Sequence, residues 1–231
     1  METKVVDYDI QENIGIIKGL NPPVNALSHQ VRLGLLESLE YLSQDKRVEG
    51  IILIGDGRTF FAGADISEFG KPMKTPILID VVKKFEASTK PIMAALHGTP
   101  LGGGLELAMG CNYRVALNTT KMGLPEVKLG IIPGAGGTQR LPRLVGIENS
   151  LKIITSGDPI SAEKAKYYGL IEECFESNLL ANSKILFKKI LEKNTHPKVK
   201  DLNEKIKDID KKIFFDYRNK IKKKMRGRIS P

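Results

Sequence analysis

Tryptophan is absent from the 231 residues, cysteine occurs twice and histidine three times. The two cysteines, Cys111 and Cys174, lack metal-ligand spacing and read as buried thiols. That pattern excludes a cysteine-based metal module and makes a reducing cytoplasm the expected compartment. No apolar run is long enough to cross a bilayer, so no membrane helix is expected. The opening Met1-Glu2-Thr3-Lys4 passes straight into a strand-like pattern without the build of a signal peptide. There is no internal repeat, and the one biased segment is a lysine-rich end.

What is present is the composition of an ordinary soluble protein, 41% hydrophobic and 27% charged. The length suits one large core with an appendage, and we divide it into a catalytic core over 1–195 and a C-terminal helical segment over 196–231. The net charge of +9 is unevenly placed. Residues 181–231 hold 17 Lys+Arg against 6 Asp+Glu, whereas the preceding 180 residues hold 19 against 21. The body is nearly neutral and the tail basic, which reads as a solvated helix face rather than a nucleic-acid surface. From Leu202 the residues Ile206, Ile209, Ile213, Tyr217, Ile221 and Met225 recur every three or four positions, predicting one continuous amphipathic helix.

Strand patterns at residues 5–10, 14–17, 50–55, 92–96 and 113–117 alternate with helical patterns at 28–45 and 77–88. Ser28 is placed as an N-cap. Further helices are predicted at 138–144, 147–156 and 161–168, the first kinked or cut short by Pro142. Strands alternating with helices make the chain α/β.

The chain is organised around Leu101-Gly102-Gly103-Gly104-Leu105-Glu106-Leu107, which follows the apolar run Ile92-Met93-Ala94-Ala95-Leu96. The pattern predicts strand, tight turn and helix, with bare backbone N–H groups at the helix start that can bind developing negative charge. By itself the stretch is equally a glycine-rich turn with a capping Glu106.

Its company decides the reading. Phe61-Ala62-Gly63-Ala64-Asp65, the Gly102–Glu106 turn, Leu124-Pro125-Glu126, and Gly130-Ile131-Ile132-Pro133-Gly134-Ala135-Gly136-Gly137-Thr138-Gln139-Arg140-Leu141-Pro142 follow one another in the chain. This order resembles the crotonase (enoyl-CoA hydratase/isomerase) superfamily over roughly residues 5–174. The resemblance implies a crotonase-like spiral of ββα units with C-terminal helices. The long last block is most similar to true hydratases. The ending Lys223-Lys224-Met225-Arg226-Gly227-Arg228-Ile229-Ser230-Pro231 resembles the junction before the dehydrogenase part of multifunctional fatty-acid oxidation enzymes.

The implied activity is hydration of trans-2-enoyl-CoA to 3-hydroxyacyl-CoA. Water adds at C3 of a conjugated thioester if the carbonyl oxygen is stabilised as it becomes an enolate, and two backbone donors in a dry site can do this. The resemblance assigns those donors to Ala64 and Gly103. One carboxylate must take a proton and another deliver one; the resemblance gives Glu106 the water and Glu126 the proton at C2. Alone, Glu126 would read as a solvated turn carboxylate after Pro125. Asp65 is a further carboxylate, read chiefly as fixing its own loop. Coenzyme A is expected along the loop after Phe60, with adenine held by backbone near Ala62 and Ile66 and with Asp65 beside them. Arg58, Lys71 and Lys74 stand near enough in sequence to meet phosphates, although lone loop cations are usually solvated. His97 has no nucleophile beside it and is read as structural. The chemistry requires neither cofactor nor metal, coenzyme A being part of the substrate.

Other readings stand beside this one. Gly134-Ala135-Gly136-Gly137-Thr138-Gln139 suggests a dinucleotide loop, but the fingerprint needs glycine where Gln139 stands and a clean strand before it. An isomerase of the same fold works with one carboxylate, so two glutamates favour hydration. A non-catalytic RNA-binding relative would bind in a steeply salt-dependent way. The C-terminal stripe must be covered by the protein's own body, by a neighbouring subunit or by a dehydrogenase domain beyond the chain end. The resemblance implies a homotrimer for single-function relatives and fold-back over the hydratase core for multifunctional ones, and the junction-like ending favours fold-back.

Overall fold

The structure, a computed structural model, describes residues 4–224. Six strands form one sheet: β1 (Val6–Gln11), β2 (Ile14–Gly19), β3 (Gly50–Gly55), β4 (Ile92–Leu96), β5 (Tyr113–Leu117) and, at the far edge, a short strand Glu173–Phe175. β1 and β2 are an antiparallel hairpin, and every later pairing is parallel. Parallel neighbours need crossovers, and helices supply them: α1 (His29–Gln44), α2 (Leu78–Ala87) and α3 (Gly103–Met109). Ser28 caps α1, its Oγ accepting from the Val31 N–H at 3.4 Å.

The strands alternate their side chains between two cores. Ile51 and Leu53 of β3, with Ile92 and Ala94 of β4, face Val31, Leu35, Val81, Phe85 and Leu105 of α1, α2 and α3. Ile52, Ile54, Met93 and Val115 face the opposite way, onto Leu179, Phe187 and Ile190. Those last three lie on a helix, Leu179–Leu191, that the sequence reading did not find. It makes β3 fully buried on both faces, as its unbroken apolar run requires.

After β5 come β6 (Lys121–Met122), α4 (Gly137–Val145), α5 (Ile147–Ser156), β7 (Ile160–Ser161), α6 (Ala162–Tyr168), the edge strand just described, which is β8, the helix Leu179–Leu191, which is α7, and α8 (Lys212–Lys224). β6 and β7 pair as a small second sheet. Bridges between Leu27 and Ala64, and between Leu101 and Gly123, place the connections after the main strands side by side next to it.

Of the two outcomes expected at Pro142, the shortening does not occur, because α4 runs three residues beyond it and closes with the Gly146 N–H on the Pro142 carbonyl. One expectation is corrected outright. The C-terminal stripe is not one helix from Leu202. Residues 202–211 are turns in which Asp208 has a left-handed φ of 55°, and the helix begins at Lys212, where the Asp210 carboxylate accepts the Lys212 N–H. Leu202, Ile206, Ile209, Ile213, Tyr217 and Ile221 are half-buried all the same, so an apolar repeat survives as packing without a single helix. Met225 and the rest of the junction-like ending lie outside the described residues, as do Met1, Glu2 and Thr3. No helix among the described residues is long and apolar enough to cross a membrane.

Candidate active site

The segments leaving β3 and β4 run together. The Phe60 N–H donates to the His97 carbonyl at 3.0 Å and the Thr99 N–H to Thr59 Oγ1 at 2.8 Å. One step further, Leu27 donates to the Gly63 carbonyl at 2.9 Å, and Gly102 to the Gly123 carbonyl at 2.9 Å. The approach is close because Gly104 lacks a side chain: a Cβ there would lie 1.8 Å from the Phe61 carbonyl oxygen. The result is that the backbones of Ala64 and Gly103 lie side by side, a Cβ built on Gly103 falling 3.4 Å from the Ala64 nitrogen. Among the described residues neither the Ala64 N–H nor the Gly103 N–H meets an acceptor within the chain.

Both residues line a cavity of about 520 Å³. Its walls are mostly apolar, including Ile77, Leu78, Leu101 and Ala135, and exposed Ile66, Phe69, Met73, Ile131 and Ile132 stand at its edge. Two carboxylates enter it, Glu106 and Glu126.

Glu106 stands in the first turn of α3 and is 2% exposed. Its Oε1 accepts the Ala135 N–H at 2.8 Å and the Gly137 N–H at 2.7 Å. Burial pushes its pKa up, while those two amides and the positive charge of Arg140 act in the opposite direction. Glu126 lies on a short 3₁₀ turn, Pro125–Leu129, and is 9% exposed. Its Oε2 has no hydrogen-bond partner, and its Oε1 lies against Gly102, whose φ of 50° brings the turn past without a side chain. Burial, and then the nearby charge of Glu106, push the Glu126 pKa to about 7. The two carboxyls thus differ in kind: one is fixed by two donors from a neighbouring loop, whereas the other keeps one oxygen without a partner and has its pKa raised to about 7.

Of the residues singled out in the sequence, Glu106, Glu126, Ala64, Gly103, Ala62 and Ile66 are brought to this one cavity. Asp65 is not. Its carboxylate accepts the Ser67 N–H at 2.9 Å, capping a turn at Ile66–Glu68, and it borders a neighbouring hollow with Lys71. His97 also lies off the cavity, its Nε2 3.1 Å from the Gly57 carbonyl and its pKa lowered by burial. The sequence reading missed the amides of Ala135 and Gly137. Backbone donors leave no trace in side-chain identity, and the only available signal was the run of small residues from Gly134 to Gly137.

Comparison with known proteins identifies the family. Residues 9–224 match the family described as enoyl-CoA hydratase/isomerase. The peroxisomal bifunctional enzyme of Danio rerio is 44% identical over 169 residues, 73% of this chain and 24% of its own length. A probable enoyl-CoA hydratase of Bacillus subtilis (strain 168) is 42% identical over 198 residues, covering 82% of this chain and 77% of that protein. A crystal structure of enoyl-CoA hydratase from Bacillus anthracis superposes with a TM-score of 0.75 at 31% identity, covering 95% of this chain and 90% of that one. The chain therefore spans about a quarter of the bifunctional relative and most of the single enzymes. It belongs to the enoyl-CoA hydratase/isomerase family and has the α/β crotonase fold.

Proposed function

We propose that the chain is a hydro-lyase that adds water across the double bond of trans-2-enoyl-CoA to give 3-hydroxyacyl-CoA. The observation that carries the reading is the unequal pair of carboxyls beside two unpaired backbone amides. Glu106, whose Oε1 is oriented by the Ala135 and Gly137 amides, is placed to take a proton from water as its oxygen bonds to C3. The electron pair of the C2–C3 double bond moves to the thioester oxygen, where the Ala64 and Gly103 N–H groups stabilise the enolate. Glu126, with a pKa of about 7, is suited to deliver a proton to C2 as the enolate collapses. The cycle leaves Glu106 protonated and Glu126 ionised, and exchange with solvent resets both.

Ala62 and Ile66 are our candidates for holding the adenine of coenzyme A. The Ala62 N–H is already on the Val24 carbonyl and the Ile66 carbonyl already accepts Phe69, so the Ala62 carbonyl and Ile66 N–H are the groups left to do it. Asp65 acts here by capping its turn rather than by touching the ligand. The scheme uses side chains and amides of this chain alone and draws on no cofactor. A cytoplasmic location is part of the proposal, because named relatives include a peroxisomal enzyme and the family does not fix the compartment. Loss of enoyl absorbance on mixing purified protein with trans-2-enoyl-CoA thioesters of several chain lengths tests the activity. No loss with any of them refutes it.

A further inference from the structure

We propose that Arg140, clamped by Glu86, is a positioning residue that holds the Ala135-Gly136-Gly137 loop and through it fixes the Glu106 carboxylate. The inference rests on the reading of Glu106 as the group that accepts the proton of water.

Arg140 of α4 and Glu86 of α2 are 54 residues apart and both nearly buried, 7% and 8% exposed. Arg140 Nε donates to Glu86 Oε1 at 3.0 Å and Nη2 to Oε2 at 2.9 Å, a two-point clamp along one edge of the guanidinium. The third nitrogen, Nη1, turns to the loop and donates to the Ala135 carbonyl at 3.1 Å. Ala135 is therefore gripped at both ends, its carbonyl by Arg140 and its N–H on Glu106. Gly136 lies against the same guanidinium so tightly that a Cβ there would stand 2.1 Å from Nη1. The Lys200 N–H reaches Glu86 Oε1 at 3.2 Å, tying the C-terminal turn Val199–Asp201 to the same clamp.

A buried ion pair is a poor way to stabilise a fold, since an apolar pair of similar volume commonly serves as well. What such a pair cannot replace is a planar fork that meets three acceptors in fixed directions. The charged groups facing Glu106 are Glu126, from the 3₁₀ turn, and Arg140, from α4; Glu86 sits beyond Arg140 on its other edge. Removing Arg140 takes away the positive charge that favours ionised Glu106, so burial, which favours its protonated form, is opposed by the Ala135 and Gly137 amides alone. The limb of the rate profile that needs ionised Glu106 must then move to higher pH.

The test uses the full chain with Arg140→Met, Arg140→Lys and the double variant Glu86→Gln/Arg140→Met. Hydration kinetics are followed against pH, and the Glu106 carboxyl is titrated directly by carbon-13 NMR. The double variant leaves no unpaired buried charge, so it reports even where Arg140→Met alone does not fold. It is expected to lose about 10²-fold in kcat with KM within a few-fold of wild type. Its acid limb and its Glu106 midpoint should both shift upward. Arg140→Lys keeps the charge without the fork, and should restore the acid limb without restoring kcat. A double variant with wild-type kcat and an unmoved Glu106 midpoint overturns the inference. Should wild-type protein hydrate no enoyl-CoA, the functional reading fails, while an unmoved Glu106 midpoint still decides against Arg140.

Discussion

Replacing Gly104 by alanine should damage the candidate oxyanion site and the fold together. The added Cβ would sit 1.8 Å from the Phe61 carbonyl oxygen and 2.7 Å from its carbon, both backbone atoms without a rotamer to escape by. α3 and the 61–64 segment must therefore separate by more than 1 Å. Overpacking on this scale costs about 1–3 kcal/mol, which for a domain of this size lowers Tm by roughly 2–12 °C. The same displacement carries the Ala64 amide away from Gly103, and loss of one such donor costs about 10²–10³ in kcat. Thermal melting and crotonyl-CoA hydration, measured on one preparation, separate the two effects. A variant with wild-type Tm and wild-type kcat would refute the close approach and the paired-amide reading built on it.

Glu106→Gln and Glu126→Gln should each reduce kcat by about 10²–10⁴ while leaving coenzyme A product affinity near wild type, as judged by calorimetry, because they act on the transition state. As the donor to C2, Glu126 must be protonated, so kcat/KM should fall as pH rises through about 7, and this limb should vanish in Glu126→Gln. The same raised pKa acts on stability: protonation of Glu126 favours the folded state, fully so below its unperturbed 4.5, and that contribution is lost as pH rises through about 7. Denaturant midpoints measured between pH 4.5 and 8 should therefore flatten in the same variant. Arg114, 1% exposed, donates to the Leu170 and Cys111 carbonyls and pairs with Glu172. Arg114→Met should lower stability by about 3–5 kcal/mol in urea unfolding, and an unchanged midpoint would show that these carbonyls find other partners.

The parts of the fold that could be read in advance carry their cause locally. β3 is an unbroken apolar run between two glycines, α1 has Ser28 at its start, and the turn at Gly102 joins β4 to α3 where three glycines stand together. Failures came where local pattern and long-range packing diverge. The residues from Leu202 to Ile221 keep a helical spacing, yet Asp208 turns the chain and the apolar positions pack from separate turns. α7 has an apolar set in Leu179, Phe187 and Ile190, but lysines interrupt it and its Asn178 cap makes no side-chain hydrogen bond, so the usual start signal is missing. At the site, Glu106 and Glu126 were visible as side chains. The Ala135 and Gly137 amides and the Glu86–Arg140 clamp were not, because one is backbone and the other joins residues 54 apart.

The central claim is that this chain adds water, with oxygen going to C3 and a proton to C2. The most direct measurement is mass spectrometry of the product formed from trans-2-enoyl-CoA in oxygen-18 water, repeated in deuterium oxide. The account predicts 3-hydroxyacyl-CoA carrying one oxygen-18 at C3 in the first solvent and one carbon-bound deuterium at C2 in the second, with both products formed about 10²–10⁴ more slowly in Glu106→Gln. An unlabelled, unchanged enoyl thioester from the wild-type protein would contradict it.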